Sequence, residues 1–356
     1  MTMTRPPGSR GKSIEAVDLF CGVGGLTFGL RQAGISVCAG YDIDPACRYP
    51  YEVNNNVPFE QRSVTELTGD DLSAWYSPRA VRLLAGCAPC QPFSTLANGK
   101  AVRDETKWGL LGEFTRLVRE SLPDLVTMEN VPRVTNYDPY RGFVEALEAL
   151  GYHIDARRVR CADFGIPQER RRFVLLASRL GPIVLPRSIS GTILTVRDAI
   201  ESLPSLAAGE TDSVDPLHKA RRLTPINLQR IKASKPGGTW EDWPMDLRAS
   251  CHRIASGASF KSVYARMSWD LPAPTVTTQC YNFGTGRFGH PQQDRAITLR
   301  EAAILQSFPK DYQFVKPGEI AYFNTVGRMV GNAVPPRLGE MVGLALAAHV
   351  TKLPKG

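Results

Sequence analysis

A chain of 356 residues can build one large core and a smaller second one, because single cores stop growing near about 250–300 residues. Its 43 Lys and Arg against 35 Asp and Glu leave a net charge of +8, which favours a polyanionic partner. No run approaches the roughly 18 apolar residues of a membrane span, the opening MTMTRPPGSRGKS lacks a signal peptide's apolar centre, and eight scattered cysteines form no disulfide framework; a cytoplasmic chain with free thiols is expected.

Residues 1–13 read as a flexible N-terminal arm. From Ile14, apolar runs alternate with helical stretches: IEAVDLF, a helix from Gly25 to Ala33, SVCAGYD, a helix after Pro45, then VRLLAG and PDLVTMEN. Such alternation predicts a mostly parallel sheet with helices on both faces. A helix near 138–150 follows, and YHIDARRVR and RFVLLAS read as two closing strands. Beyond Leu180 the periodicity weakens and Gly, Pro, Trp and basic residues scatter. Residues 181–290 hold 13 Lys and Arg against 9 Asp and Glu, so +4, half of the net charge. A last helix over 338–351 carries an apolar stripe and should pack back onto a core.

DLFCGVGGLTFGL places Gly22, Gly24 and Gly25 between a strand and a helix, where backbone turns sharply or passes close to a ligand. A dinucleotide fingerprint would need glycine where Thr27 stands, and no phosphate-loop Lys follows. A ligand with an adenosine and no phosphate fits better, and Asp42, ending the second strand, is placed to accept from ribose hydroxyls.

AGCAPCQPFS holds Cys87 and Cys90 at a spacing open to three readings: half a zinc site, a redox pair, or one nucleophile beside a bystander. No second pair stands at a zinc spacing, and Pro92 with a polar run argues against the helix that a redox pair would open. One nucleophile remains, Cys90, on a loop stiffened by Pro89 and Pro92 beyond the carboxyl edge of the sheet. The next strand end carries Glu129 and Asn130, either a solvent-exposed tip or a catalytic acid. In QERRR, Gln168, Arg170 and Arg172 alternate onto one face of a strand, where the two arginines need an anionic partner.

Taken in order, DLFCGVGG, GCAPCQPFS, MENV, QERRR, PAPTVTT and VGNAVPP resemble the bacterial DNA (cytosine-5)-methyltransferases, from Ile14 to the end apart from a variable stretch at about 181–262. The resemblance implies an α/β S-adenosylmethionine-dependent methyltransferase fold, made of residues 14–180 and 320–356, with a smaller irregular target-recognition domain and connecting segments at 181–319. It implies S-adenosylmethionine as cofactor, no metal, double-stranded DNA in the cleft between the lobes, no membrane, and a place beside a partner restriction endonuclease. A monomer is expected.

By that likeness Phe20 and the loop Gly22 to Gly25 hug the methionine end of the cofactor. Asp42 takes the ribose, Ile43 lies on the adenine facing Pro89, and Asn332 and Ala333 return from the C-terminus to close the pocket. Ile43 departs from a commonly aromatic position and Ser63 from a commonly acidic one. Cys90 would add to carbon 6 of a flipped-out cytosine, Glu129 would hydrogen-bond N3, Arg170 would grip the base carbonyl O2, and Arg172 would support the site. The polar loop 93–107 is the expected lid. Arg221, Arg222, Arg230, Lys232, Arg248, Arg253 and Lys261 are expected mostly at phosphates, and Trp240, Trp243 and Trp269 in packing. Methylation of transfer RNA would want a Cys-Phe-Thr tripeptide, which is absent. An inactive DNA-binding relative would not keep every matched catalytic position.

Overall fold

The computed structural model describes residues 13–89, 105–188, 191–254 and 261–352, with the side chains of 105–108 left aside. Seven strands form one sheet: β1 (Ile14–Leu19), β2 (Ser36–Tyr41), β3 (Phe59–Glu60), β4 (Val81–Gly86), β5 (Leu125–Asn130), β6 (His153–Arg160) and β7 (Arg171–Ser178), in the order β3-β2-β1-β4-β5-β7-β6. Every pairing is parallel except those of β7, which runs against both β5 and β6. The mostly parallel sheet expected from the alternation is therefore present, closed by an antiparallel edge.

Both faces of the sheet are covered, which is why its central strands are continuous apolar runs. Along β1, Ala16 belongs to one buried cluster while Val17 and Leu19 belong to the other. The second cluster is filled by α4 (Glu105–Ser121) and α5 (Asp138–Ala149) through Leu111, Phe114, Phe143 and Leu147. The first is filled by α1 (Gly25–Gln32), α2 (Arg48–Asn55) and the C-terminal α10 (Pro336–Thr351).

Between them lie α3 (Gly69–Ser73), α6 (Val196–Ile200), α7 (Pro225–Ala233), α8 (Leu299–Leu305) and α9 (Phe323–Asn332). Within the expected small lobe a separate buried cluster is formed by Ile231, Trp240, Trp243, Phe283 and Ala296, so Trp240 and Trp243 pack as expected, and half-buried Trp269 packs against the larger cluster. Leu299, Ala302, Ala303 and Leu305 of α8 also join the larger cluster, ahead of the expected return at 320.

Two arginines expected at phosphates are spent inside this lobe. The Arg230 guanidinium lies over the rings of Trp243 and Tyr264 and donates to the Leu247 carbonyl at 2.8 Å. Arg248 lies over Trp240 and donates to the carbonyls of Trp243 and Glu241. A core this small gains from cations held on aromatic faces, where each contact contributes about 0.5–2 kcal/mol. Among the described residues no helix is long and apolar enough to cross a membrane.

Candidate active site

A cavity of about 520 Å³ opens at the carboxyl ends of β1, β2, β4 and β5. Of the residues expected to hold a cofactor, Phe20, Gly22, Asp42, Ile43, Ser63, Pro89, Asn332 and Ala333 all line it. Its size suits a small organic ligand.

The turn after β1 is bent by three residues in the left-handed region, Phe20 at φ 57°, Gly22 at φ 51° and Gly24 at φ 88°. For an aromatic residue that backbone is an outlier held in place by its surroundings. It sets the Phe20 side chain at the cavity wall. Gly22 donates its amide to Asp42 Oδ2 at 2.9 Å, while Asp42 Oδ1 accepts from the Asp44 amide at 2.9 Å. One carboxylate thus fixes both the β1 and β2 turns, and burial holds its pKa above the ordinary range.

Gly24 and Gly25 are not at the cavity wall. A Cβ on Gly24 would stand 2.3 Å from Asn55 Nδ2, and one on Gly25 would stand 2.2 Å from the Val334 carbonyl oxygen. Their glycines let α2 and the returning C-terminal segment press against the loop, which is a packing demand, whereas Gly22 has open space where its Cβ would be.

Asp18, within the quoted DLFCGVGG, was not singled out by sequence and is the most unusual group in the cavity. It is 1% exposed, and Thr27 donates to its Oδ2 at 2.7 Å, yet its Oδ1 has no hydrogen-bond partner. Burial, with the Asp42 charge adding to it, pushes its pKa up to about 7. An orphaned buried carboxylate oxygen costs free energy until a cationic donor reaches it. The available signal was an acid inside a strand buried on both faces.

At the far wall, Ile43 is 68% exposed, leaving an apolar surface for a flat ring. Ser63 does not sit in a strand: it caps the short helical turn Val64–Glu66, with its Oγ accepting from the Thr65 amide at 3.3 Å. Asn332 ends α9 and Ala333 follows it, and both line the cavity. Arg328 of α9 forms an ion pair with Asp44 beside the same cavity. Nothing in the sequence points to that pair, whose members are 284 residues apart.

At the end of β5, Glu129 lines the cavity and its Oε1 lies 2.7 Å from Arg172 Nε, a charge contact out of hydrogen-bond alignment. Both side chains are 12% exposed. Asn130 donates to the Ala88 carbonyl at 3.1 Å and so anchors the segment that leads into Pro89. Cys90 itself, and residues 93–104 of the expected lid, lie outside the described residues. Cys87 lines the cavity and packs against the larger core.

The two arginines of the motif stand in different surroundings. Arg170 precedes β7, is 1% exposed, and donates to the carbonyls of Val276, Gly331 and Ala333 at 2.9, 3.2 and 3.4 Å. It is absent from the cavity wall because its guanidinium is spent joining three chain segments. Gln168 works alongside it, accepting from the Val276 amide and donating to the Leu305 carbonyl. Arg172 alone of the pair reaches Glu129.

The profile of the C-5 cytosine-specific DNA methylase family matches residues 14–348. Over 335 residues the chain is 50% identical to the Type II methylase M.HgiDII of Herpetosiphon aurantiacus, covering 93% of this chain and 94% of that one. It is 33% identical over 340 residues to the Type II methyltransferase M1.HphI of Haemophilus parahaemolyticus, covering 94% and 87%. A solved structure of a prophage-encoded E. coli protein described as a DNA modification methyltransferase superposes with a TM-score of 0.73 over 94% of this chain and 99% of that one, at 23% identity, a likeness of fold. The chain belongs to the C-5 cytosine-specific DNA methylases, which draw their methyl group from S-adenosylmethionine.

Proposed function

We propose that this enzyme is the modification half of a Type II restriction-modification pair, acting in the cytoplasm as a monomer on one cytosine of a short double-stranded DNA sequence, beside a partner endonuclease. The relatives named Type II methyltransferases support that reading. The observation that carries the chemistry is one cavity lined by Glu129 together with Asp42, Ile43, Asn332 and Ala333.

S-adenosylmethionine supplies an electrophilic methyl group and carries cationic centres, and the orphaned Oδ1 of Asp18 fits such a ligand. Asp42 would hold the ribose, Ile43 the adenine opposite Pro89, and Phe20 with the Gly22 turn the methionine end. Cytosine carbon 5 is a weak nucleophile, so the ring must first be activated at carbon 6. Cys90 would do this by forming a carbon–sulfur bond while a ring π pair moves to carbon 5. Glu129 would hydrogen-bond N3 and the exocyclic amine, and Arg172, rather than Arg170, would meet the base carbonyl. Carbon 5 would then form a bond to the methyl group while the broken sulfur–methyl pair stays on the departing S-adenosylhomocysteine, and loss of the carbon-5 proton would return a pair to the ring and expel the thiolate.

None of these atoms is reachable in a duplex, so the base must be flipped out at a cost of a few kcal/mol. The loop 93–107 is the proposed lid, and residues 181–319 with the small core are the proposed recognition lobe, set against a catalytic lobe of 14–180 and 320–356. Base-resolution methylation mapping of DNA from a methylation-free host expressing the chain tests the reading. One recurrent short site with 5-methylcytosine at a fixed position is expected; unmodified DNA would overturn it.

A further inference from the structure

The carboxyl rim of the sheet carries more positive charge than the reaction uses. In the register of β6 against β7, Arg158 faces Phe173 and Arg160 faces Arg171, so Arg158, Arg160 and Arg171 share one face of the antiparallel pair. Arg160 is neutralised by Glu169 and Asp163. Arg158 and Arg171 form no ion pair among the described residues, Arg171 only feeling the charge of nearby Glu169, and both are exposed. Arg158 donates only to Thr135 Oγ1, at 3.3 Å, which ties it to the turn Pro132–Asn136. That turn leaves β5 directly after Glu129 and presents Arg133, also exposed and without a carboxylate among the described residues.

Nearby arginines are treated differently. Arg157 pairs with Asp155 and Arg141 with Asp138. Gathering Arg133, Arg158 and Arg171 with no ion pair of their own, near a Glu169 that is already paired with Arg160, leaves a surplus of positive charge that an arriving polyanion would relieve. Their location selects the polyanion. Arg171 directly precedes Arg172, and Arg133 is four residues past Glu129, so the patch stands at the same rim as the catalytic carboxyl while projecting to the opposite face of the sheet.

We propose that Arg133, Arg158 and Arg171 form a phosphate-binding corner that grips the DNA backbone beside the flipped nucleotide. The corner rests on the DNA reading above. It lies on the catalytic lobe, so it would act on any sequence equally, positioning the duplex and leaving base readout to the small lobe.

The test uses the full-length enzyme with all three arginines changed to glutamine (R133Q, R158Q, R171Q), a second triple with lysines at the same places, and a control triple at exposed Arg31, Arg79 and Arg119. Binding to a target duplex is measured across a salt series with S-adenosylhomocysteine present. Each lost phosphate contact removes about 0.9 from the slope of log affinity against log salt, so the glutamine triple should lose about 2 to 3 from that slope. The lysine and control triples should match wild type. The KM for DNA should rise while kcat at saturating DNA, the methylated site and S-adenosylhomocysteine affinity hold. A glutamine-triple slope equal to wild type overturns the corner alone. Wild-type enzyme that fails to bind duplex DNA overturns the corner and the underlying reading together. Should the triple not fold, R133Q alone, on a surface turn, must still lower the slope by about 0.9, and an unchanged slope refutes the proposal.

Discussion

Arg172 Nε lies 2.7 Å from Glu129 Oε1, whereas Arg170, two residues earlier, points its guanidinium at three backbone carbonyls. The two arginines of one short motif therefore divide into a site residue and a structural tie, and mutation should separate them. Arg170→Met would strand the carbonyls of Val276, Gly331 and Ala333 and destabilise the fold by about 1–3 kcal/mol, read as a lower urea midpoint. Arg172→Met should keep that midpoint and lose turnover by about 10² or more. The reverse pattern would return Arg170 to the base.

Glu129→Gln should bind cofactor normally yet turn over about 10²-fold more slowly, because the amide cannot exchange a proton with N3. Single-turnover kinetics beside calorimetric cofactor titration decide it. Near-normal turnover would remove Glu129 from the mechanism.

Asp42→Ala should weaken S-adenosylmethionine binding by about 1.5–3 kcal/mol, the scale of a hydrogen bond to a charged group. Asp42→Asn should recover part of this, since an amide oxygen can still accept from Gly22 or Asp44. Wild-type affinity in the alanine variant would place the ribose elsewhere.

Asp18 gives the cofactor site a pH dependence of definite sign. Its pKa in the folded enzyme is raised to about 7 by burial, so from the ordinary carboxylate range up to about 7 the folded state holds a proton that the unfolded chain releases. The free enzyme should lose this group's share of stability as pH rises through 7. A bound cation favours the carboxylate instead, so cofactor affinity should increase from pH 6 to pH 8 with proton release, and Asp18→Asn should flatten the profile. Calorimetry in buffers of different ionisation enthalpy counts the proton; a pH-independent wild type would refute the assignment.

Cys90→Ala should abolish methylation, while Cys87→Ser, altering a residue at the cavity wall, should largely spare it. An oligonucleotide with 5-fluorocytosine at the target cannot lose fluorine as a cation, so a cofactor-dependent covalent adduct should accumulate in wild type and Cys87→Ser, and be absent in Cys90→Ala. Loss of the adduct in both variants would make the two cysteines one unit.

Most strands were legible as compact apolar runs, VRLLAG being β4 residue for residue, whereas β6 is largely charged and the two-residue β3 carries no pattern of its own. Neither α4 nor α9 is announced in the same way. Gly109 and Gly112 interrupt α4, and Gly327 and Gly331 interrupt α9, each at a helix cost of about 1 kcal/mol. Packing overrides that cost in α9, where a Cβ on Gly327 would stand 2.5 Å from the Tyr281 ring and one on Gly331 2.3 Å from the Thr278 nitrogen. Site residues next to strand ends could be read from sequence because topology gathers such ends at one edge. Arg328 beside Asp44, and the aromatic duties of Arg230 and Arg248, could not, since each depends on contacts between distant segments.

The wall formed by Asn332 and Ala333 also orders events in time. Translation delivers the Phe20 turn first and the last wall of the cavity more than 300 residues later. A chain still being synthesised therefore has its β1 and β2 turns but an open-sided pocket, lacking one wall of the proposed methyl-donor site. Activity would therefore wait on synthesis of Asn332 and Ala333, and products terminated before them that occupied DNA would do so without marking it.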